Sequence, residues 1–375
     1  MESCDVLIAG GGPAGSSCAW ALRRAGVDVV IVDAATFPRD KVCGGWITPQ
    51  VVDELGMDLE AYRARRTFQP ICGFRTGVIG DAKTVETDYG RPVSFGIRRS
   101  EFDHYLLQRS SARVEQGTPV GTIRRHFDWW IVNESIRAPM LVGAAGHFCP
   151  VARALNGRID GGGANLVVAQ EAEFPVPAAD TRYATDPERP ELYFCRDLKG
   201  YGWCFRKERY LNVGMGRLDR RSLPQATARF QEFLKRTRRI PPDASWRWRG
   251  HAYLLHQSSR RVVGDGVVLA GDAAGLAYAE SGEGIRPAIE SGLIAASTIL
   301  EARGRYTRDR LDGYRTRLRA RFGAPARNWL ASCGSKGQSL AEVLAGRLLG
   351  MPWFVRRVVL DEWFLHAGVA PLAEV

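Results

Sequence analysis

Three glycines and an acid near the amino terminus have the types and spacing of a site for nucleotide phosphates. Gly10, Gly12 and Gly15 follow the pattern G-x-G-x-x-G. The first glycine permits a tight turn, the second lets the backbone approach a pyrophosphate, and the third lets a helix lie close to the strand. In such motifs an acid roughly 20 residues after the first glycine accepts a ribose hydroxyl, and Asp33 follows Gly10 at close to this spacing. We therefore expect a dinucleotide here, with Ala14 in the same turn among its contacts.

A second acid, far along the chain, follows another apolar run. Gly271 and Asp272 come directly after the apolar residues 267–270. A carboxylate just past a strand, flanked by small residues, can accept from a ribitol or ribose hydroxyl. An aspartate in such a turn can also merely cap it. The amino-terminal glycine motif favours the nucleotide interpretation.

Regular elements must position these residues, and hydrophobic periodicity predicts them. Apolar runs before Gly10 and before Asp33 flank an amphipathic stretch, which is typical of a β-α-β unit. Helices are predicted near residue 49, from Arg99 with Ser100 as its N-cap, over 223–238, and from Ile285 to Ala302. The rest of 155–255 is strand-like and aromatic, and 306–375 is helical and arginine-rich.

Composition excludes several classes of protein. The chain has 375 residues, 45% hydrophobic and 25% charged, with a net charge of +11. The eight cysteines show no CxxC spacing and no Cys/His metal cluster, so we expect no metal and free thiols in a reducing compartment. We find no signal peptide and no apolar stretch near ~18 residues, and expect a cytoplasmic location.

The basic runs carry acids as well and occur without a nucleic-acid motif, so we expect no nucleic-acid partner. An anionic membrane surface or an anionic substrate stays open as the reason for the charge. The carboxy-terminal tail contains an apolar patch with Trp353 and Trp363 that would suit peripheral membrane contact.

The two acid-bearing motifs together resemble the flavoprotein superfamily of p-hydroxybenzoate hydroxylase, in which they hold FAD. The resemblance implies that Asp272 contacts the ribitol–pyrophosphate region of FAD. It also implies that Gly282, Gly284 and Ile285 bring backbone N–H groups near the flavin ring, and that Arg99 lies near the cofactor. The alternative for Arg99 is a solvated charge at the start of a helix.

Two further segments resemble the geranylgeranyl reductase family within that superfamily. One is the stretch 37–45, which contains Cys43 and Gly44, and the other is 201–207, similar to the family motif Tyr-x-Trp-x-Phe-Pro-Lys. The resemblance places Cys43 beside the isoalloxazine and lines the substrate cavity with Tyr201 and Trp203, which makes these three the candidate catalytic residues. The alternatives are an inert buried thiol at Cys43 and ordinary core positions for alternating strand residues 201, 203 and 205.

The predicted fold class is therefore α/β (α+β): a Rossmann-like FAD-binding domain, a β-sheet substrate domain and a helical C-terminal region. The FAD-binding domain is predicted over 1–60, 98–155 and 256–305, the substrate domain over 61–97 and 156–255, and the helical region over 306–375.

The predicted function is reduction of C=C bonds in an isoprenoid or other apolar small molecule by hydride from reduced flavin. The alternatives are a flavin-dependent monooxygenase acting on a small or aromatic substrate, and a flavin-binding protein without turnover. Ala145 stands where the family usually has an acid that serves the nucleotides. This departure leaves open whether NAD(P)H or a separate electron-donor protein reduces the flavin.

Overall fold

A mostly parallel six-stranded sheet carries the glycine turn. In the computed structural model, the described residues are 1–157, 166–177, 180–255, 260–323 and 346–372. The central strands consist almost entirely of Val, Ile and Leu and are buried on both faces, as parallel sheets require. In spatial order the six strands are Val263–Gly264, Val267–Leu269, Met140–Gly143, Val6–Ala9, Val29–Val32 and Arg113–Glu115. Only the first pair is antiparallel.

Two helices pack closely beside this sheet, Pro13–Arg24 and Ile285–Ala302, and the bounds of the second match the prediction. Their close approach needs glycine at two points. A Cβ at Gly15 would lie 1.9 Å from the carbonyl oxygen of Gly10, and one at Gly292 would lie 2.3 Å from that of Ala14. The helices thereby hold the glycine turn and the residues after Gly282 against each other.

A seven-stranded, mostly antiparallel sheet forms the second layer. One face packs against the helix Leu223–Arg236, where a Cβ at Gly202 would lie 2.6 Å from the ring of Phe230. The opposite face presents Tyr201, Trp203 and Phe205, which alternate with Gly202 and Cys204 along one strand. In order the strands are Arg249–Leu254, Leu166–Pro175, Tyr210–Arg217, Gly200–Lys207, Glu191–Phe194, Gly73–Val78 and Thr84–Asp88.

Two smaller sheets and several short helices complete the described chain. The three-stranded sheet consists of Trp46–Ile47, Ser94–Ile97 and Phe68–Ile71. The four-stranded sheet consists of Glu2–Ser3, Ile136–Ala138, Trp129–Val132 and Ile123–His126. The remaining helices are Pro49–Leu55, Leu59–Arg63, Arg99–Arg109, Pro150–Asn156, Gly271–Ala273, Arg308–Leu311 and Gly313–Phe322.

The prediction of Ser100 as an N-cap is wrong. The helix Arg99–Arg109 is preceded by Arg98 in an extended conformation, with no side chain capping it, so Ser100 already lies inside the first turn. Arg98 is held by ion pairs to Glu101 and Glu173. These contacts determine where the chain enters the helix.

The described part of the carboxy-terminal region returns to the second layer. A helix over 352–364, which is π-helical from Val355 onward, buries Val355, Val359 and Phe364 in the same hydrophobic cluster as Trp46 and Phe205. The rings of Phe364 and Trp46 meet edge to face, with centroids 5.7 Å apart. Residues 324–345 and 373–375 of the predicted helical region lie outside the described residues. Among the helices that the structure describes, none combines the length and hydropathy needed to cross a bilayer.

Candidate active site

A cavity of about 620 Å³ runs between the two large sheets and collects the predicted site residues. Only Gly15 among them does not line it, and its contact with Gly10 gives it a packing role. The predicted residues in the lining are Gly10, Gly12, Ala14, Asp33, Cys43, Gly44, Arg99, Tyr201, Trp203, Gly271, Asp272, Gly282, Gly284 and Ile285. Residues more than 200 positions apart therefore share one space, although their individual roles remain predictions.

The glycine turn leaves a set of backbone donors facing this cavity. Gly10 has a φ of +112° and Gly12 is the N-cap of the first helix, which has no side-chain cap. A Cβ at Gly12 would meet only Nη2 of Arg39, at 3.4 Å, so the turn is open on its cavity side. Uncapped N–H groups at a helix start, with a guanidinium beside them, suit a pyrophosphate.

The two acids of the motifs differ in how the protein uses them. The Asp33 carboxylate accepts the N–H of Gly11 at 2.7 Å and that of Ala35 at 2.8 Å. No hydrogen-bond donor in the described part of the chain reaches the Asp272 carboxylate, whose Oδ1 would be 3.2 Å from a Cβ at Gly284. Asp33 therefore organises the turn as well as facing the cavity, whereas Asp272 keeps its acceptor capacity for a ligand.

Arg99 is buried, so the solvated-charge alternative is wrong. Its guanidinium forms a bidentate pair with Asp103, with both N–O distances at 2.8 Å. Burial works to lower the pKa of Arg99, but the Asp103 carboxylate outweighs it and the pKa is raised. Arg39, which sequence reasoning missed, also reaches Asp103 at 3.1 Å. Its only sequence signal is its place in the segment that leads to Cys43.

A buried polar network holds the loop at Cys43. The backbone N–H of Cys43 donates to Glu171, and the Cys43 carbonyl accepts from Nδ2 of Asn212 at 3.3 Å. Trp203 donates its indole N–H to Oδ1 of Asn212 at 2.7 Å. Lys207, which is 1% exposed, pairs with Glu173 at 2.9 Å.

The two acids of this network titrate differently because only one is paired with a cation. Burial raises the pKa of Glu171 to about 7. Burial alone would also raise the pKa of Glu173, but Lys207 and its hydrogen bond lower it to about 2. A carboxyl group that gains and loses its proton near neutral pH thus lies directly beneath the Cys43 backbone.

A lysine–histidine pair in the cavity wall was also missed. Nζ of Lys41 lies 2.6 Å from Nε2 of His251. Burial lowers the pKa of Lys41 to about 8 and that of His251 to about 3, so the lysine donates to a neutral imidazole. Nothing in the sequence connects two residues that meet across separate layers.

The residues present fit FAD. Open N–H groups and Arg39 lie at the position for a pyrophosphate, an acid lies on either side of it, and the loop 282–284 borders the far end. The volume is in the range of small-molecule and cofactor sites, roughly 300–1,000 Å³. Asp33 and the Cys43 loop both line this cavity, which is what binding of a dinucleotide between them requires.

Comparisons with known proteins agree with this geometry. A family model described as an FAD binding domain matches residues 3–326. A menaquinone reductase of Mycobacterium tuberculosis is 29% identical over 332 residues, covering 80% of this chain and 77% of the relative. A geranylgeranyl diphosphate reductase of Rhodobacter capsulatus is 27% identical over 310 residues, covering 79% and 75%.

Solved structures confirm the fold. A geranylgeranyl bacteriochlorophyll reductase-like protein from Thermoplasma acidophilum superimposes with a TM-score of 0.72 at 21% identity, covering 94% of this chain and 88% of its own. A flavin-dependent brominase reaches a TM-score of 0.71 at 18% identity, covering 97% and 92%. The fold is thus shared by flavoproteins with different reactions, and the predicted α/β class with a Rossmann-like domain is correct.

Proposed function

Since the chain belongs to the FAD binding domain family and is a FAD-dependent oxidoreductase, we propose that it reduces C=C bonds of an isoprenoid or similarly apolar substrate. The observation that carries the proposal is the apolar wall that continues the cavity beyond the Cys43 loop. The relatives named as geranylgeranyl and menaquinone reductases support the same class of substrate.

Aromatic side chains build this wall in two layers. Trp46 stacks on Phe205 with ring centroids 5.1 Å apart, and Tyr201 lies 6.0 Å from Trp203. Phe364, from the carboxy-terminal helix, backs Tyr201 at 5.2 Å. Such a surface binds an extended apolar chain by excluding water and supplies few groups for recognising a polar one.

The protein's own residues hold and shape the reaction space. FAD, when bound and reduced by an electron donor, would supply the hydride for the double bond. Glu171 and Asn212 hold the Cys43 backbone at one side. Tyr201 donates its hydroxyl to the carbonyl of Ser281 and so joins the aromatic wall to the loop 282–284. These contacts fix both sides of the space in which we propose that substrate and cofactor meet.

We propose that direct use of NAD(P)H is weak. Ala145 lies exposed at the cavity rim, where a methyl group offers no acceptor to a second nucleotide. A separate electron-donor protein would bypass this defect. Flavin reduction by NADPH is therefore expected to be much slower than reduction by dithionite; equal rates would refute this part of the proposal.

We also propose peripheral contact with an anionic membrane through the start of the carboxy-terminal helix. Met351 and Trp353 are 51% and 69% exposed, and Arg356 and Arg357 are exposed beside them. Apolar side chains flanked by cations suit the interface of an anionic bilayer. Sedimentation with phosphatidylglycerol vesicles, but not phosphatidylcholine vesicles, is expected, and Trp353→Ser should abolish it.

An anaerobic reoxidation assay tests the main proposal. Photoreduced, FAD-loaded protein is mixed with a panel of isoprenoid and other alkenes, and flavin absorbance and products are followed. Reoxidation with a saturated product is expected for at least one apolar alkene. Oxygenated product formed only when O2 is admitted would establish the monooxygenase instead, and reoxidation no faster than that of free flavin would indicate binding without turnover.

A further inference from the structure

One acid in the cavity wall is not explained by packing or by ion pairing. Glu283 lies between Gly282 and Gly284, borders the cavity and is 9% exposed. Both of its carboxylate oxygens are buried, and neither accepts a hydrogen bond from any described residue. The charge of Arg286, and to a smaller extent its backbone N–H in the first turn of the helix Ile285–Ala302, favour the ionised form. A buried carboxyl group without partners is costly to keep, and such groups concentrate at functional sites.

A histidine connects this acid with the protein surface. Nε2 of His366 lies 3.9 Å from the Glu283 carboxylate and has no hydrogen-bond partner of its own. The imidazole stacks on Tyr278, with ring centroids 3.7 Å apart. The next two residues, Ala367 and Gly368, are exposed. Glu283 and His366 therefore lie next to each other, and the His366 side chain is 10% exposed.

The surrounding charges leave the acid protonated over part of the neutral range. Burial raises the pKa of Glu283 to about 7; Arg286 acts to lower it and Glu290 to raise it. Arg286 is itself engaged, with its Nε 2.6 Å from Glu290 and its Nη2 on the carbonyl of Val369. Burial lowers the pKa of His366 to about 4, with Arg286 lowering it further and Glu290 opposing, so the imidazole is neutral.

We propose that Glu283 is the acid that donates a proton to the substrate carbon, and that His366 returns a proton to it from solvent. The inference rests on the proposed C=C reduction. One alkene carbon gains the hydride from reduced FAD, and its neighbour gains the proton as the O–H bond of Glu283 breaks. The resulting carboxylate takes up a solvent proton through His366, so Glu283 and His366 both return to their initial protonation states.

Infrared spectroscopy tests the protonation state without turnover. Glu283→Gln keeps the shape of the side chain but has no acidic proton. The difference spectrum between wild type and Glu283→Gln, at a pH below 7, should show the C=O band of a protonated carboxylic acid, and the band should vanish as pH rises through about 7. The matched control is Glu280→Gln, because Glu280 is an exposed acid three residues earlier in the same loop and should contribute no such band.

Single-turnover kinetics tests the role itself. Glu283→Gln should lower the rate at which an alkene reoxidises reduced flavin by about 10²–10⁴-fold, the usual contribution of a positioned acid. FAD titration of Glu283→Gln separates weaker cofactor binding from loss of the proton, and the exposed control Glu280→Gln should leave both FAD affinity and the reoxidation rate unchanged. His366→Asn should slow the same step less, and added imidazole should restore it.

The outcomes separate the two proposals. A wild-type protein that reduces no alkene refutes the proposed function, and the donor role with it, whatever the infrared band shows. A wild-type protein that reduces an alkene, with Glu283→Gln within a few-fold of it or with no acid band in the difference spectrum, overturns the donor role alone.

Discussion

Trp203 and Asn212 form a buried hydrogen bond, 2.7 Å from indole nitrogen to amide oxygen, at the aromatic wall of the cavity. The same amide donates to the carbonyl of Cys43 at 3.3 Å. A side chain of the aromatic wall is thus connected through one residue to the backbone of the loop.

Replacement of Trp203 by phenylalanine tests this connection. Trp203→Phe leaves the side-chain oxygen of Asn212 without a donor in the core. We therefore expect the free energy of unfolding to fall by about 1–3 kcal/mol in addition to the loss caused by the smaller buried ring. Trp46→Phe is the matched control, because Trp46 is similarly buried and its indole makes no hydrogen bond among the described residues. Urea unfolding of both variants measures the difference; equal losses would show that the bond contributes nothing.

Gly12→Val should give a folded protein that does not retain FAD. Among the described residues, only the flexible end of Arg39 lies near a Cβ at Gly12, so the apoprotein can accommodate the change, whereas a bound pyrophosphate cannot. Absorbance after purification and the thermal midpoint report the two effects separately.

Gly15→Ala is the contrasting variant. Its Cβ would lie 1.9 Å from the backbone oxygen of Gly10, so this smaller change should lower the thermal midpoint as well as the flavin content. If the Gly12→Val protein were yellow and retained flavin, the proposal that this turn binds the pyrophosphate of FAD would be wrong.

Asp272→Ala should weaken FAD binding with little change in stability. No donor of the described protein is left unpaired by the change. Asp33→Ala, in contrast, leaves the N–H groups of Gly11 and Ala35 without their acceptor. We expect it to weaken FAD binding and also to lower the free energy of unfolding by about 1–3 kcal/mol. FAD titration together with urea unfolding distinguishes them, and unchanged FAD affinity in Asp272→Ala would make Asp272 a turn residue only.

Cys43→Ser should alter turnover more than stability, because Cys43 is only partly buried and lines the cavity. Cys204→Ser provides the control: this thiol is 0% exposed beneath the helix Leu223–Arg236, and a hydroxyl there should destabilise the fold by about 1–3 kcal/mol. Single-turnover rates and unfolding midpoints are compared. Parallel losses of both in Cys43→Ser would favour an inert core thiol.

Glu54→Gln should stabilise the protein at high pH. Burial and the adjacent Glu290 raise the pKa of Glu54, so the folded state holds this proton more tightly than the unfolded chain does. Wild-type stability therefore falls as pH rises from the ordinary carboxyl pKa, about 4.3, through the raised value. The glutamine oxygen can still accept the N–H of Leu372, which Glu54 accepts at 3.1 Å.

Urea midpoints at about pH 5 and about pH 9 measure this effect, and the advantage of Glu54→Gln should appear at the higher pH. Asp53→Asn is the control, since Asp53 is exposed on the same helix and should show no such trend. An advantage that is independent of pH would contradict the assignment to proton binding.

Local patterns were sufficient to predict the fold class, the cofactor and the elements at the cofactor site. The Gly10 turn and the helix Ile285–Ala302 are encoded by short-range spacing, so they could be identified along the chain. Pairings between residues of different layers could not be identified in this way. Lys41 meets His251 and Glu283 meets His366 only after the sheets pack, and single residues of these types carry no distinguishing pattern. Glu283 lay between two predicted glycines, and its charge in an otherwise small, apolar segment was the one available signal.

The last described residues bind back to the helix that follows Gly284. Arg286 donates to the carbonyls of Val369 and Ala370, and Arg321 also reaches Ala370. During synthesis the ribosome must therefore release residue 370 before this brace can form. The helix that follows Gly284 therefore completes these contacts only after the chain as far as residue 370 has been made, long after the glycine turn at 10–15.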